Sequence, residues 1–145
     1  MQHILDLLKN DEGTGPVVNG RMMPYEDSEG LMTIGYGRCI EKVGISFEEA
    51  DHLLNQSVKE LIYDCGNEFV WFDEFTLEPA RYAAVVSMVY NLGLAGFKEF
   101  EKTIAFIDAR EFDHAATEML DSKWAKQVGH RAIRLSEMMR TGAWA

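Results

Sequence analysis

Positive charge is scarce in this sequence. Fourteen lysines and arginines stand against 24 aspartates and glutamates, giving a formal net charge of -10. Such a chain has no basic stripe to lay along a phosphate backbone, which argues against nucleic acid as a partner. Cysteine is sparse too. Cys39 and Cys65 lie far apart and form no CxxC pair, so they read as free thiols of a protein made in a reducing compartment. His3, His52, His114 and His130 are scattered without an HExxH or i,i+4 pairing, so no metal site is expected. No apolar run is long enough to span a bilayer, and no stable membrane association is expected. The opening MQHILDLLKNDEG lacks a basic segment and a small-residue cleavage site, so it does not read as a secretory signal.

What is present is enough for a core: 145 residues, 47% of them hydrophobic, favour one domain. Residues 3 to 12 read as a short helix with Ile4, Leu5 and Leu8 on one face, stopped at Gly13. The period then changes. Asn19-Gly20 between VV and RMM is a hairpin signal, because both residues tolerate positive φ. Asp27 to Gly30 supplies a second turn, and the simplest outcome is a small antiparallel meander. Ser46 and Glu49 form a capping box, and Ala50, Leu53, Leu54, Val58, Leu61, Ile62 and Cys65 come after it at helical spacing. From Pro79, placed as at N1, ARYAAVVSMVYNLG is apolar nearly all round and belongs in a core. Further helices are expected at about 98–109, 112–121 and 130–140. The fold class is therefore α+β and two-lobed: a sheet lobe near 14–45, a connecting helix over 47–65, and a mainly helical lobe over 66–145 together with 1–12.

Glu12 at a helix end, Asp27 in a turn and Thr33 on the following strand fall around the junction of these lobes, where clefts tend to form. Two carboxylates across a cleft are what glycosidic hydrolysis needs, one to protonate the leaving oxygen and one to activate water or attack carbon. Composition alone does not pick this pair out of 24 acidic residues. On its own, Asp27 reads as a turn former, Glu12 as a solvated helix end and Thr33 as a strand former.

KNDEG, YEDSEGLMTIGYG and the terminal MRTGAW, in that order, resemble the phage-type lysozymes, the endolysin muramidases of glycoside hydrolase family 24. LLNQSV, MVYNLGLAGF and WAKQVGHRA look like further family stretches, so the similarity runs from Leu5 through Trp144. The resemblance implies a single lysozyme-like catalytic domain over 1–145 that hydrolyses the β-1,4 bond between N-acetylmuramic acid and N-acetylglucosamine in peptidoglycan. It implies no cofactor. Glu12 matches the general acid, Asp27 the partner carboxylate, and Thr33 the hydroxyl that helps hold the catalytic water. The resemblance also implies an inverting mechanism, with the carboxyls about 6.5–9.5 Å apart. Residues 13 to 26 make the gap before Asp27 longer than the family pattern, and the added length sits most simply in TGPVVNG as an extended hairpin.

Arg131 matches a basic position that contacts the catalytic glutamate, and reads otherwise as a surface salt bridge. Tyr90 and Asn91 match groove-lining positions, with plain core packing the rival for Tyr90; Glu118 matches a polar substrate contact. Cys39 and Phe100 align with groove positions but differ in type, and no binding role is assigned to them. As an endolysin the chain is expected to be a monomer that accumulates in host cytoplasm until a holin-type lesion releases it to the periplasm or wall. Its partners would be glycan strands alone. Two rivals remain, a lytic transglycosylase on the same bond and a retired, glycan-binding lysozyme fold.

Overall fold

A computed structural model of the chain describes all of residues 1–145. The fold is α+β, five short antiparallel strands and eight helices, and it divides into two compact units, Met1–Leu53 and Leu54–Ala145. No helix is long and apolar enough to cross a membrane.

The first unit opens with α1 (Gln2–Glu12), which ends where Gly13 turns to φ 67 and donates its N–H back to the Lys9 carbonyl. Residues 1–12, expected with the helical lobe, instead group with the sheet. Part of the reason is local: α1 buries none of its side chains, and its last turn lies against the loop at 35–37, with Lys9 Nζ 5.4 Å from the Tyr36 ring centroid.

Strands β1 (Val17–Val18) and β2 (Arg21–Met22) form the expected hairpin, with Asn19 at φ 50 and Gly20 at φ 74, the signs a type I′ turn requires. The TGPVVNG stretch thus forms a ribbon of its own, with Val17 and Val18 exposed. The single meander is not seen, because β1–β2 is separate from a three-stranded sheet of β3 (Tyr25–Glu26), β4 (Met32–Ile34) and β5 (Arg38–Cys39). Pro24, between β2 and β3, has no N–H to continue a ladder. Strand β4 is central, with Thr33 facing Tyr25 on one side and Cys39 on the other.

Helix α2 (Ile40–Val43) is a single turn for which the sequence carries no signal. Arg38 ties the end of that turn to the start of the long helix. Its Nε and Nη2 donate to the Gly44 carbonyl, and the guanidinium forks onto Glu49 at 2.7 and 3.0 Å. Ser46 and Glu49 exchange the two capping-box hydrogen bonds, and α3 (Phe47–Glu68) begins there.

The second unit is built on α4 (Pro79–Lys98), whose Ala84, Val85 and Met88 are fully buried. This helix breaks at Gly93 (φ 73, ψ 160), so the segment to Lys98 is a separate turn and α5 (Glu101–Asp108) starts later than expected. Then come α6 (Phe112–Leu120), α7 (Lys123–Val128) and α8 (His130–Thr141). The core joins Phe97, Ile107, Met119 and Met139, and truncating Phe97 to alanine should cost about 3–5 kcal/mol. Arg81 closes the far end. Its Nε and Nη2 donate to the carbonyls of Met139 and Arg140, orphans at the end of α8, while the guanidinium lies 3.8 Å from the Phe112 centroid. Cys39 and Cys65 are free thiols, as expected, and burial, with the Asp64 charge adding to it, pushes Cys65 up to about 11.

Candidate active site

Asp27 holds its own turn together. Its Oδ1 accepts the N–H of Glu29 at 2.8 Å and of Leu31 at 2.9 Å. Its carbonyl accepts Gly30 N–H at 3.0 Å, and Gly30 sits at φ 76, where a side chain would be strained. The carboxylate is therefore bolted to the turn by one oxygen. Asp27 is half-buried.

Thr33 is 3% exposed, and its hydroxyl donates to the Leu31 carbonyl at 3.1 Å. The same carbonyl accepts Asp27 N–H at 2.9 Å. Leu31 thus ties the two residues together through three hydrogen bonds, counting its own N–H to Asp27 Oδ1. Buried in mid-strand, the Thr33 hydroxyl faces the backbone rather than open solvent.

Glu12 is exposed and comes from the last turn of α1. Its carboxyl lies over Gly37, so close that a Cβ there would stand 2.8 Å from Cδ and would collide with Oε2. Gly37, at φ 74, makes room both by its conformation and by its missing side chain. Glu12 and the Asp27–Thr33 pair therefore sit on opposite turns of one three-residue strand, β4.

The other expected site residues lie in the second unit. Glu118 lines a cavity of about 590 Å³ with Phe100, Lys102, Lys123, Trp124 and Gln127. Its nearest cation is Lys102, 4.0 Å away and largely exposed, an ion pair of little weight. Phe100, which differs in type from the family's groove residue, thus does line this cavity, packed edge-on to Trp124. Tyr90 lines a different cavity of about 350 Å³, beside Ser57, Asp64 and the Gly93 break. Tyr90 and Glu118 are therefore not brought to one pocket. Asn91 is committed on one side: its Oδ1 accepts the Trp124 indole N–H at 2.9 Å. Arg131 is exposed in the first turn of α8, and Cys39 is half-buried as the strand neighbour of Thr33. Sequence reasoning missed Trp124 and Gly37. The first opens the WAKQVGHRA stretch, and the second stands in the GYG after β4.

A carboxylate fixed by backbone amides at one end of a short strand, and a second lying over the turn at its other end, suit acid and base work on a glycosidic bond, a glycosidase arrangement. Comparison with known proteins agrees with that class. The family model described as Phage lysozyme matches residues 17–140, and the chain belongs to that family. It is 25% identical to "Probable T4-type lysozyme 1" of Dictyostelium discoideum over 96% of this chain and 94% of that protein. It is 26% identical to "Probable T4-type lysozyme 2" of the same organism, over 94% of this chain and 93% of that protein. It is also 25% identical to "Pre-baseplate central spike protein Gp5" of Enterobacteria phage T4, over 94% of this chain but 27% of that protein. The chain is thus a lysozyme-like, peptidoglycan-cleaving enzyme. The family match contains Asp27, Thr33, Tyr90, Asn91, Glu118 and Arg131, whereas Glu12 precedes it.

Proposed function

We propose that the chain hydrolyses the β-1,4 linkage between N-acetylmuramic acid and N-acetylglucosamine with inversion. Glu12 gives its proton to the glycosidic oxygen. Asp27, anchored through Oδ1, takes the proton of a water that attacks the anomeric carbon from the opposite face. Thr33 acts through Leu31, fixing the turn that aims Asp27. The observation that supports this most is the placement of Glu12 and Asp27 on opposite turns of β4. Three residues of strand span roughly 10 Å, a scale suited to the 6.5–9.5 Å of inverting carboxyl pairs rather than the shorter retaining separation.

Tyr90, Asn91 and Glu118 are the proposed sugar contacts, Tyr90 from a separate cavity of the second unit, and Arg131 is a proposed supporting cation. With Oδ1 taken by the Trp124 indole, the Asn91 amide nitrogen is the group left to donate to substrate. We assign the whole chain to one catalytic domain, acting as a monomer without cofactor. In a phage setting it would act as an endolysin, held in host cytoplasm until a holin-type lesion admits it to the wall.

The buried Thr33 hydroxyl, turned to the Leu31 carbonyl, favours a second reading. A lytic transglycosylase cuts the same bond without activating water. Mass spectrometry of the released fragments separates the two, since a 1,6-anhydro end excludes hydrolysis. The assignment of Glu12 is tested by clearing of chloroform-treated cells with the native chain and Glu12→Gln. Loss of clearing in the variant is expected, and equal clearing by both would end the assignment.

A further inference from the structure

The peptide between Leu31 and Met32 is gripped at both ends. Its carbonyl accepts from Asp27 N–H and from Thr33 Oγ1, at 2.9 and 3.1 Å. Its N–H, on Met32, donates to Glu41 Oε2 at 2.8 Å. The register explains why a side chain fills that place. Thr33 pairs with Cys39, so Met32 falls opposite Ile40, where β5 has ended and α2 has begun. The ladder partner that Met32 would have had is lost to the helix, and Glu41 from the first turn of α2 supplies the acceptor instead. A bond from a neutral N–H to a carboxylate is stronger than the ladder bond it replaces. Because a peptide is planar, holding its N–H also sets the direction of its carbonyl.

We propose that Glu41 is a positioning residue for the reaction: it orients the Leu31–Met32 peptide on which Asp27 and Thr33 both hang. The proposal rests on the roles given to those two residues under the proposed function. Glu41 itself is exposed and acts on the far side of the peptide from their side chains. Its neighbour Lys42 meets Glu29 across the same turn at 3.4 Å, but both side chains are largely exposed, and that ion pair should contribute little.

The experiment compares the full chain with Glu41→Ala, Glu41→Gln and Lys42→Ala. Amide hydrogen exchange at Leu31 and Met32 is followed by NMR, and kcat and KM are measured on a soluble peptidoglycan oligosaccharide. Glu41→Ala should speed Met32 exchange about tenfold, the factor of a lost hydrogen bond to a charged acceptor. It should lower kcat about tenfold with KM unchanged, as for a misplaced reacting group. Glu41→Gln keeps an acceptor oxygen and should restore both, while Lys42→Ala should move neither. Unchanged exchange in Glu41→Ala, or faster exchange with native kcat, would overturn the proposal. So would a fall in kcat that Glu41→Gln does not rescue. A native chain without activity would instead overturn the reaction assigned to Asp27 and Thr33.

Discussion

Gly37 is the residue whose replacement most directly tests where Glu12 must stand. In Gly37→Ala the added methyl would lie 2.8 Å from Glu12 Cδ and 3.1 Å from Cγ, where ordinary contact begins near 3.4 Å. The carboxyl must therefore retreat by roughly 0.6 Å at its carbon and further at its oxygen. A displacement approaching ~1 Å in a reacting group costs up to about 10²-fold in rate. The substitution also strains the backbone, because φ is +74 and an L-residue in that region costs about 1–2 kcal/mol. For a chain of this size that is a fall in Tm of about 3–8 °C. Gly20→Ala separates the two effects, since Gly20 has the same φ of +74 with nothing within 4 Å of the added carbon. Both variants should melt earlier by similar amounts, and Gly37→Ala alone should lose at least about tenfold in clearing rate at a temperature where both are folded. Equal rates at equal destabilisation would show that the carboxyl does not need its place over the turn, and the argument for Glu12 would go with it.

Thr33→Val removes the hydroxyl bond to Leu31 and should lower kcat, whereas Thr33→Ser should keep most of it; native kcat in the valine variant would dismiss Thr33 from the site. Arg81 beside Glu78, at 2.6 Å, holds the Glu78 carboxyl below its ordinary 4.5. A lowered native pKa means stability that is complete above the unfolded value and lost as pH falls through the native one. Urea midpoints of the native chain should therefore drop below about pH 4.5 more steeply than those of Glu78→Gln, and parallel acid limbs would refute this. Finally, a net charge of -10 should repel an anionic wall, so lysis should quicken as salt is raised through the low range where the screening length shortens. A flat or falling salt titration would remove that account.

Elements with a strong local signal are legible in the sequence alone. The Asn19-Gly20 hairpin, the Ser46–Glu49 capping box and Pro79 at the start of α4 each fall where their chemistry places them. What escapes is short or depends on neighbours. Helices α2 and α7, of four and six residues, are too brief for an apolar period to emerge. The break at Gly93 falls where the apolar stretch from Pro79 ends, but the short helical turn beyond it, up to Lys98, escapes. The split of the sheet at Pro24 and the grouping of α1 with it depend on which partners are within reach.

The candidate site offers residue types in the sequence but not its wiring, and Asp27 shows why. Read alone, an aspartate two residues before a turn amide is a turn former, and the hydrogen bonds from Glu29 and Leu31 make it one. Turn former and catalyst look like rival roles in the sequence, yet the geometry makes them compatible. A carboxylate has two oxygens, and the turn uses Oδ1. The same bonds that close the turn remove the rotational freedom a reacting group would otherwise have to lose. Thr33 obeys the same logic: a strand former that is buried in mid-sheet still delivers its hydroxyl to the carbonyl that Asp27 also uses. Local structure and proposed chemistry therefore draw on one set of hydrogen bonds. That is why side chains such as Glu41, which sequence alone gives no reason to notice, become the natural places to perturb the reaction without touching a reacting atom.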